Sequence, residues 1–516
     1  MLTGILFSMG ILLCQCSGPE QKAPNIILVL ADDLGYGDIS SYNENGKIIT
    51  PNIDDMAQKG IRFTDAHTSS AVCTPTRYGI LTGRYNWRTS LKRGVLSGAS
   101  KALIPTDRAT LASMLKQAGY TTGYIGKWHL GWNWGLEEGS EFAESDLKGS
   151  NIRIDFSKPV THNPNDLGFD YAYGHCGSLD MPPYVYVENG MPTMVPDTVS
   201  VDTGYRFWRK GLTARDFDHE DVTPNFFRRA IQFVEEKAKE ENPYFLYLPL
   251  PSPHTPILPT GEWQGRSGLN PYADFVLMID DYMGQLNEAI AQSGEADNTL
   301  VIFTSDNGCS PKANFELLEE KGHDPSYIYR GHKADIFEGG HRVPFIVVWP
   351  AKNRGGEVCD QTVSTTDFMA TFAEIAGHAL MGDEGEDSYS LLSLIEGKYM
   401  KNEPLREATV HHSINGSFAI RKGDWKLIMC PGSGGWSFPR PGKDQSAIDT
   451  LPPIQLYNLA EDPAEMNNLQ VEHQDKVEEL KSLLVTYIEN GRSTPGLPQE
   501  NDAVADGKWP QVDFMN

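Results

Sequence analysis

The sequence predicts an α/β protein with a large, mostly parallel sheet flanked by helices and a smaller C-terminal subdomain of antiparallel sheet plus helix. Short continuous apolar runs alternate with helix-period segments up to about residue 404. Several of those runs break off into clusters of acidic, basic or histidine residues. Beyond residue 405 the pattern changes to short alternating strands separated by tight turns.

In chain order, Gly4 to Leu13 is an apolar run of secretory length, too short to span a bilayer. Leu13-Cys14-Gln15-Cys16-Ser17-Gly18 behind it resembles a bacterial lipobox, with Cys16 as the acylated residue. Residues 1–18 are therefore read as a signal peptide of lipoprotein type, the alternative being a plain signal peptide. The expected destination is the periplasm or cell surface, with a lipid anchor at Cys16 as the sole membrane contact.

Residues 24–404 read as one catalytic domain. Asn25 to Leu30 is apolar on both faces, as a doubly covered strand requires, and stops at Asp32-Asp33. Thr121 to Ile125 leads into Lys127-Trp128-His129. Tyr244 to Leu248 runs into a proline-rich turn with His254, and Leu300 to Thr304 into Ser305-Asp306-Asn307-Gly308. Ligands of open α/β sheets bind beyond the carboxyl ends of the strands, so four strands deliver polar groups to one edge. Thr110 to Gln117, Asn225 to Lys239 and Tyr272 to Ala291 carry apolar residues at helical spacing and supply the covering layers. In the C-terminal subdomain, residues 405–516, strands are expected at Ser417–Ile420, Trp425–Ile428 and Ile454–Tyr457. A closing helix is expected from Gln474 to Asn490, and Pro431 to Lys443 reads as a surface loop.

Charge narrows the function. The net charge of −25 makes nucleic acid an unlikely partner and requires any anion site to be locally basic. The seven cysteines show no CxxC spacing, which disfavours zinc-knuckle and thioredoxin chemistry. Five lie beyond the leader, an odd number, and Cys73 is the one expected to stay unpaired.

Cys73 opens Cys73-Thr74-Pro75-Thr76-Arg77, followed by Leu81-Thr82-Gly83. Pro75 suits a first helical turn and Gly83 a helix end, which sets Cys73 at a helix N-terminus, where an anion is favoured. This segment resembles the signature of type I sulfatases, formylglycine-dependent members of the alkaline-phosphatase-like superfamily, and in particular of bacterial carbohydrate sulfatases. The resemblance extends to Gly126-Lys127-Trp128-His129, Pro253-His254-Thr255-Pro256, Gly331-His332-Lys333 and Glu338-Gly339-Gly340-His341-Arg342. It implies that Cys73 is oxidised to formylglycine by a formylglycine-generating or radical sulfatase-maturating enzyme. It also implies Ca²⁺ held beside it by Asp32, Asp33, Asp306 and Asn307, oxygen ligands suited to a hard cation. Arg77, Lys127, His129, His254 and Lys333 complete the implied catalytic set, while His332 and His341 read as structural.

The chemistry expected of such a set starts from a geminal diol at residue 73, one hydroxyl ionised with help from the metal and Asp306. Its oxygen attacks sulfur while Arg77, Lys127 and Lys333 hold the sulfate charge and His254 or Lys333 assists the leaving sugar oxygen. His129 then deprotonates the second hydroxyl to expel sulfate. A phosphate or phosphonate ester hydrolase of the same superfamily, and a catalytically silent glycan-binding protein, are the alternatives. The expected substrate is a sulfated saccharide from a glycosaminoglycan or algal polysaccharide, with a galactose-type 6-sulfate foremost. Asp180 and Tyr184, in Gly174–Tyr184, are the candidate sugar contacts, with His175, Arg206 and Trp208 behind them.

Overall fold

Asn25–Asp32 is buried at every position because it lies in the interior of the sheet. It pairs in parallel with Tyr244–Pro253 on one side and Thr299–Ser305 on the other, Leu28 lying opposite Tyr247 and Ile302. The structure, a computed structural model, describes residues 22–142, 149, 151–400, 403–503 and 508–515. The leader, with Cys14 and Cys16, lies outside the described residues.

The main sheet has ten strands. Its order runs Glu357–Cys359, Ile61–Phe63, Phe345–Val348, Thr299–Ser305, Asn25–Asp32, Tyr244–Pro253, Thr121–Lys127, Tyr171–His175, Val187–Glu188, Met191–Pro192. The central five strands are parallel, and antiparallel pairs flank them. Parallel neighbours bring Asp32, Lys127, His254 and Asp306 out at the same edge, since all four sit at or just beyond carboxyl ends.

Helices cover the sheet largely where the periodicity places them. Pro271–Gln292 starts behind Asn270, whose side chain accepts the Ala273 N–H, and carries proline at its first position. Val222–Lys237 begins three residues earlier than the pattern suggests, because Pro224 is tolerated within a first helical turn. Cys73–Thr82 is buried throughout and ends at Gly83, whose φ of 64° and close approach to Met369 exclude a side chain.

The C-terminal subdomain is a four-stranded antiparallel sheet, Thr409–His412, Phe418–Lys422, Trp425–Ile428 and Gln455–Asn458, with the helix Gln474–Glu489 against it. Thr409–His412 escaped the sequence pattern because two of its four residues are histidines, yet all are buried. Leu480, Leu484 and Ile488 pack with Phe418, Leu427 and Leu456, and Tyr85 and Trp87 of the larger unit enter the same core. The segment expected as a surface loop, Pro431 to Lys443, is only partly one. Its Ser433–Gly435 part is buried against the Lys333 segment, where the Ser433 carbonyl accepts Ile336 N–H at 2.8 Å.

Buried charges join the two units. Lys426 reaches Glu338 at 3.0 Å and Glu465 at 2.9 Å, and Arg421 reaches Asp65 at 2.7 Å. Lysine can only donate, so the His341 Nε2 that it meets at 3.0 Å must accept. The proton of His341 is then on Nδ1 and is donated to His67 Nδ1 at 3.1 Å, while His67 Nε2 meets both Asp65 at 2.9 Å and Arg421 Nη1 at 3.0 Å. His411 donates from Nδ1 to the Thr68 carbonyl and stacks on His341 at 4.0 Å. The ring nitrogens of His341 are thus taken up by Lys426 and His67, which gives His341 a structural place. All five described cysteines are unpaired and buried.

Burial holds His67, His341 and His411 below the ordinary histidine range, and lowers His412 to about 4 and His175 to about 3. An unfolded histidine binds its proton near pH 6.5, so between about pH 6.5 and 4 the unfolded chain carries more protons than the folded one. Stability is full above that window and falls as pH drops through it, by up to about 1.4 kcal/mol per pH unit for each such histidine. The urea midpoint measured from pH 8 to pH 4.5 is expected to decline steeply below pH 6.5; a flat profile would contradict the neutral, buried assignment.

Candidate active site

The groups at the sheet edge form one sealed cluster around the N-terminus of the Cys73–Thr82 helix. Cys73 is 2% exposed, and Lys127 and His129 are inaccessible. Burial pushes the Cys73 thiol up to about 11, although Lys127 and Lys333 favour its anion, so the unmodified side chain is a neutral thiol.

Three carboxylates and three cations face one another. Asp32 contacts Lys127 and stands 3.6 Å from Arg77. Asp306 takes two bonds from Arg77, Nε at 3.0 Å and Nη2 at 2.8 Å, and Asp33 is 2.6 Å from Lys333. Burial opposes ionisation of Asp32, but Lys127, His254 and Arg77 outweigh it and hold the carboxyl well below its usual range. Asp306 moves the other way, raised by burial and by Asp32 nearby. Burial alone would discharge Lys333; Asp33, in contact with it, keeps it protonated.

Metal binding can be judged from donor atoms. Asp32 Oδ1 and Asn307 Oδ1 are buried with no hydrogen-bond partner, although Asn307 donates its Nδ2 to Asp33 at 2.7 Å. Unpaired oxygens on Asp32 and Asn307, beside the crowded carboxylates of Asp33 and Asp306, fit a hard divalent cation and offer no soft ligand. Asp33 lies at φ 64°, a left-handed conformation that aspartate tolerates.

The histidines differ in access. His129, also left-handed at φ 56°, is held by Thr74 Oγ1–H to its carbonyl at 2.9 Å and by its own N–H to Cys176 at 2.7 Å. Its Nε2 lies 2.9 Å from the Leu96 carbonyl and must carry the proton, leaving Nδ1 a buried, unpartnered base. His254 is the more open, its side chain 12% exposed, with Nδ1 on the Thr255 carbonyl and Nε2 3.6 Å from Asp33. Burial and the neighbouring Lys333 lower it, so it is neutral at pH 7.

Three comparisons bear on this cluster. The Sulfatase family profile matches residues 24–378, which contain every group just described. The chain belongs to the sulfatase family. It is 33% identical over 513 residues to an N-acetylgalactosamine-6-O-sulfatase of Bacteroides thetaiotaomicron, covering 91% of this chain and 94% of that one. It is 31% identical to human (Homo sapiens) arylsulfatase A over 462 residues, 87% of this chain and 83% of that protein. A solved sulfatase from work on glycosaminoglycan metabolism by Bacteroides thetaiotaomicron superposes with a TM-score of 0.78 at 33% identity, covering 90% and 99% of the two chains. Its chemistry is thus hydrolysis of sulfate esters.

Within this sulfatase, Arg77 departs from the sequence expectation. Its guanidinium is spent on Asp306, the Lys127 carbonyl at 2.9 Å and the Leu250 carbonyl, because a buried arginine must find acceptors for a full fork of donors. It orients Asp306 and leaves anion contact to the lysines. The sugar-contact candidates also divide. Tyr184 is buried and donates its hydroxyl to the Asp180 and Arg209 carbonyls, so it shapes the loop from inside. His175 stacks on Phe226, and Trp208 stacks on His219 at 4.0 Å. Arg206 is paired with Asp202 and Glu220. Asp180, gripped by Arg209, keeps Oδ1 unpartnered.

Sequence reading missed two supports. Ser178 sits between Lys127, which donates to it at 3.1 Å, and His254 at 3.3 Å. Behind Asp33, Tyr272 contacts the Asp33 carbonyl at 3.2 Å and the Asp38 carboxylate, which also accepts from His323 at 2.9 Å. No local spacing joins positions 38, 272 and 323, so only the fold reveals them.

Lys127→Ala is expected to lower kcat/KM by at least about 100-fold, the scale for losing a preorganised charge at a reacting centre. Steady-state kinetics on an aryl sulfate, with a melting curve to verify folding, measures it. A loss below tenfold in folded protein would take Lys127 out of the anion site.

Proposed function

We propose that this sulfatase removes a sulfate ester from a saccharide, a 6-sulfate on a galactose-type ring of a glycosaminoglycan or algal polysaccharide being the foremost target. The supporting observation is the sealed cluster at the Cys73 helix N-terminus, set in a chain similar over nearly its whole length to an N-acetylgalactosamine-6-O-sulfatase. We further propose that residue 73 acts as formylglycine, that Asp32, Asp33, Asp306 and Asn307 hold Ca²⁺, and that the protein is exported, with a lipid anchor at Cys16.

Hydrated formylglycine supplies a geminal diol, and Ca²⁺ lowers the cost of ionising a hydroxyl beside it. The chain's own residues do the rest. Lys127 and Lys333, buried and charged, hold the sulfate oxygens, and the helix N-terminus adds backbone N–H groups on the same side. Asp306, kept in place by Arg77, is the carboxylate assigned to take the proton of the diol. His254, the histidine nearest solvent, keeps its Nδ1–H on the Thr255 carbonyl, so its Nε2 serves a departing sugar oxygen as donor only in the imidazolium form, and Lys333, protonated beside it, is the other group able to supply that proton. His129 Nδ1, with its lone pair fixed inward by the Leu96 contact, accepts the proton whose removal expels sulfate. Asp180 Oδ1 is the polar atom left over to hold a sugar hydroxyl.

Matured protein should release sulfate from galactose-type 6-sulfated saccharides, lose that activity on chelation and regain it with Ca²⁺. Mass spectrometry should find an aldehyde in place of the Cys73 thiol, and Cys73→Ala should be inactive. Full activity with an intact thiol would refute the nucleophile. Release of sulfate from aryl esters alone, across a broad saccharide panel, would refute the sugar.

A further inference from the structure

An open cleft of about 650 Å³ lies beside the His254 turn, with Tyr205, Arg206, Ile257, Leu258, Gln264 and Leu269 among its walls. One wall is close to the active site along the chain, since Ile257 and Leu258 follow His254 by three and four residues, at most about 11 Å of extended chain from His254 to Ile257. Thr203, Tyr205 and Arg206 of the adjoining wall lie in the turn that joins the antiparallel strands Thr198–Asp202 and Trp208–Thr213, and Arg209 of the second strand grips Asp180. The ribbon therefore ties the cleft to the residue assigned to the sugar's hydroxyls.

Tyr205 is fixed in that wall. Its carbonyl accepts the Ile257 N–H at 2.8 Å, and its hydroxyl accepts from Asn314 Nδ2 at 3.2 Å. The ring is a preorganised flat face with little rotamer freedom left to lose on binding. Arg206 offers no spare charge, because Asp202 and Glu220 behind it both pair with it, and the other charged residue lining the cleft is Asp274, so the cleft is net acidic. A cleft of this size, mixing apolar side chains with a few amides and hydroxyls, is suited to a sugar ring. Its acidic rim disfavours a second sulfate or a uronate.

We infer that this cleft is a subsite for the sugar next to the sulfated ring, and that it selects a neutral hexose or amino sugar, the Tyr205 ring forming its platform. The inference rests on the saccharide reading above and extends the same site. Binding energy from a non-reacting ring raises kcat/KM only for substrates that carry the ring, which makes the effect separable from chemistry at Cys73.

The test compares three substrates with matured, calcium-loaded protein: a galactose-type 6-sulfated monosaccharide, the same ring linked to a neutral sugar, and the same ring linked to a uronate. Wild type should turn over the neutral disaccharide with a kcat/KM about tenfold or more above the monosaccharide, and the uronate disaccharide no better than the monosaccharide. Tyr205→Ala, and independently Gln264→Trp, which fills the cleft from an exposed position, should each erase that tenfold gain while leaving the monosaccharide rate unchanged. The unchanged monosaccharide rate also verifies that each variant is folded. Equal turnover of monosaccharide and neutral disaccharide by wild type, equal losses on both in the variants, or a preference for the uronate would overturn the cleft alone. Turnover of aryl sulfate with none of the three saccharides would overturn the saccharide reading and the cleft with it.

Discussion

Everything in this protein is arranged around a set of charges that water cannot reach. Asp32, Asp33 and Asp306 face Arg77, Lys127 and Lys333 in the interior, each with a side chain no more than about 5% exposed. Charges so placed are costly unless paired with good geometry, and removing one partner strands the other at a cost of about 3–5 kcal/mol. Only rigid elements hold such a balance. Parallel strands bring the groups out at one edge, and the Cys73 helix points its N-terminus into them. At this edge the scaffold leaves Asp32 Oδ1, Asn307 Oδ1 and His129 Nδ1 without a partner.

The C-terminal sheet belongs to this arrangement. His412 accepts the Ala71 N–H at 2.9 Å and the Ser70 hydroxyl at 3.0 Å, just before Cys73. Ala334, next to Lys333, donates to Ala71 at 2.7 Å and accepts from Ile414 at 3.1 Å. The Cys73 segment, the Lys333 segment and the C-terminal sheet thus share one hydrogen-bonded seam. The ion pairs of Lys426 and Arg421 beneath it explain why the junction is polar yet closed to water.

The main strands and their charged ends were legible in the sequence because a strand buried on both faces must be apolar until it leaves the sheet, and Asn25–Asp32 and Thr299–Ser305 do so at aspartates. The cysteine segment was legible because proline and glycine bracket a helix whose first residue is Cys73. What stayed hidden depends on tertiary convergence. The aromatics of Gly174–Tyr184 looked available for a sugar, but the ribbon ending at Thr213 covers Tyr184, with its hydroxyl turned to main-chain carbonyls. Thr409–His412 lacks the apolar signature of a strand, since two of its four buried residues are histidines and His411 is spent on the Thr68 carbonyl and Thr409. Arg77 was readable as a cation, whereas its direction was set by acceptors from three other segments.

The seam imposes an order in time. Position 412 is made 339 residues after position 73 (412 − 73), which at about 5–20 residues per second is a delay of roughly 17–70 s on the ribosome. Until that strand exists, the segment ahead of Cys73 has no partner for Ala71 or Ser70 and the thiol has no lid. Once the strand docks, Cys73 is 2% exposed, too deep for another enzyme to grasp. The thiol is thus open to a second protein only in the nascent or unfolded chain, and docking of the C-terminal sheet ends that interval.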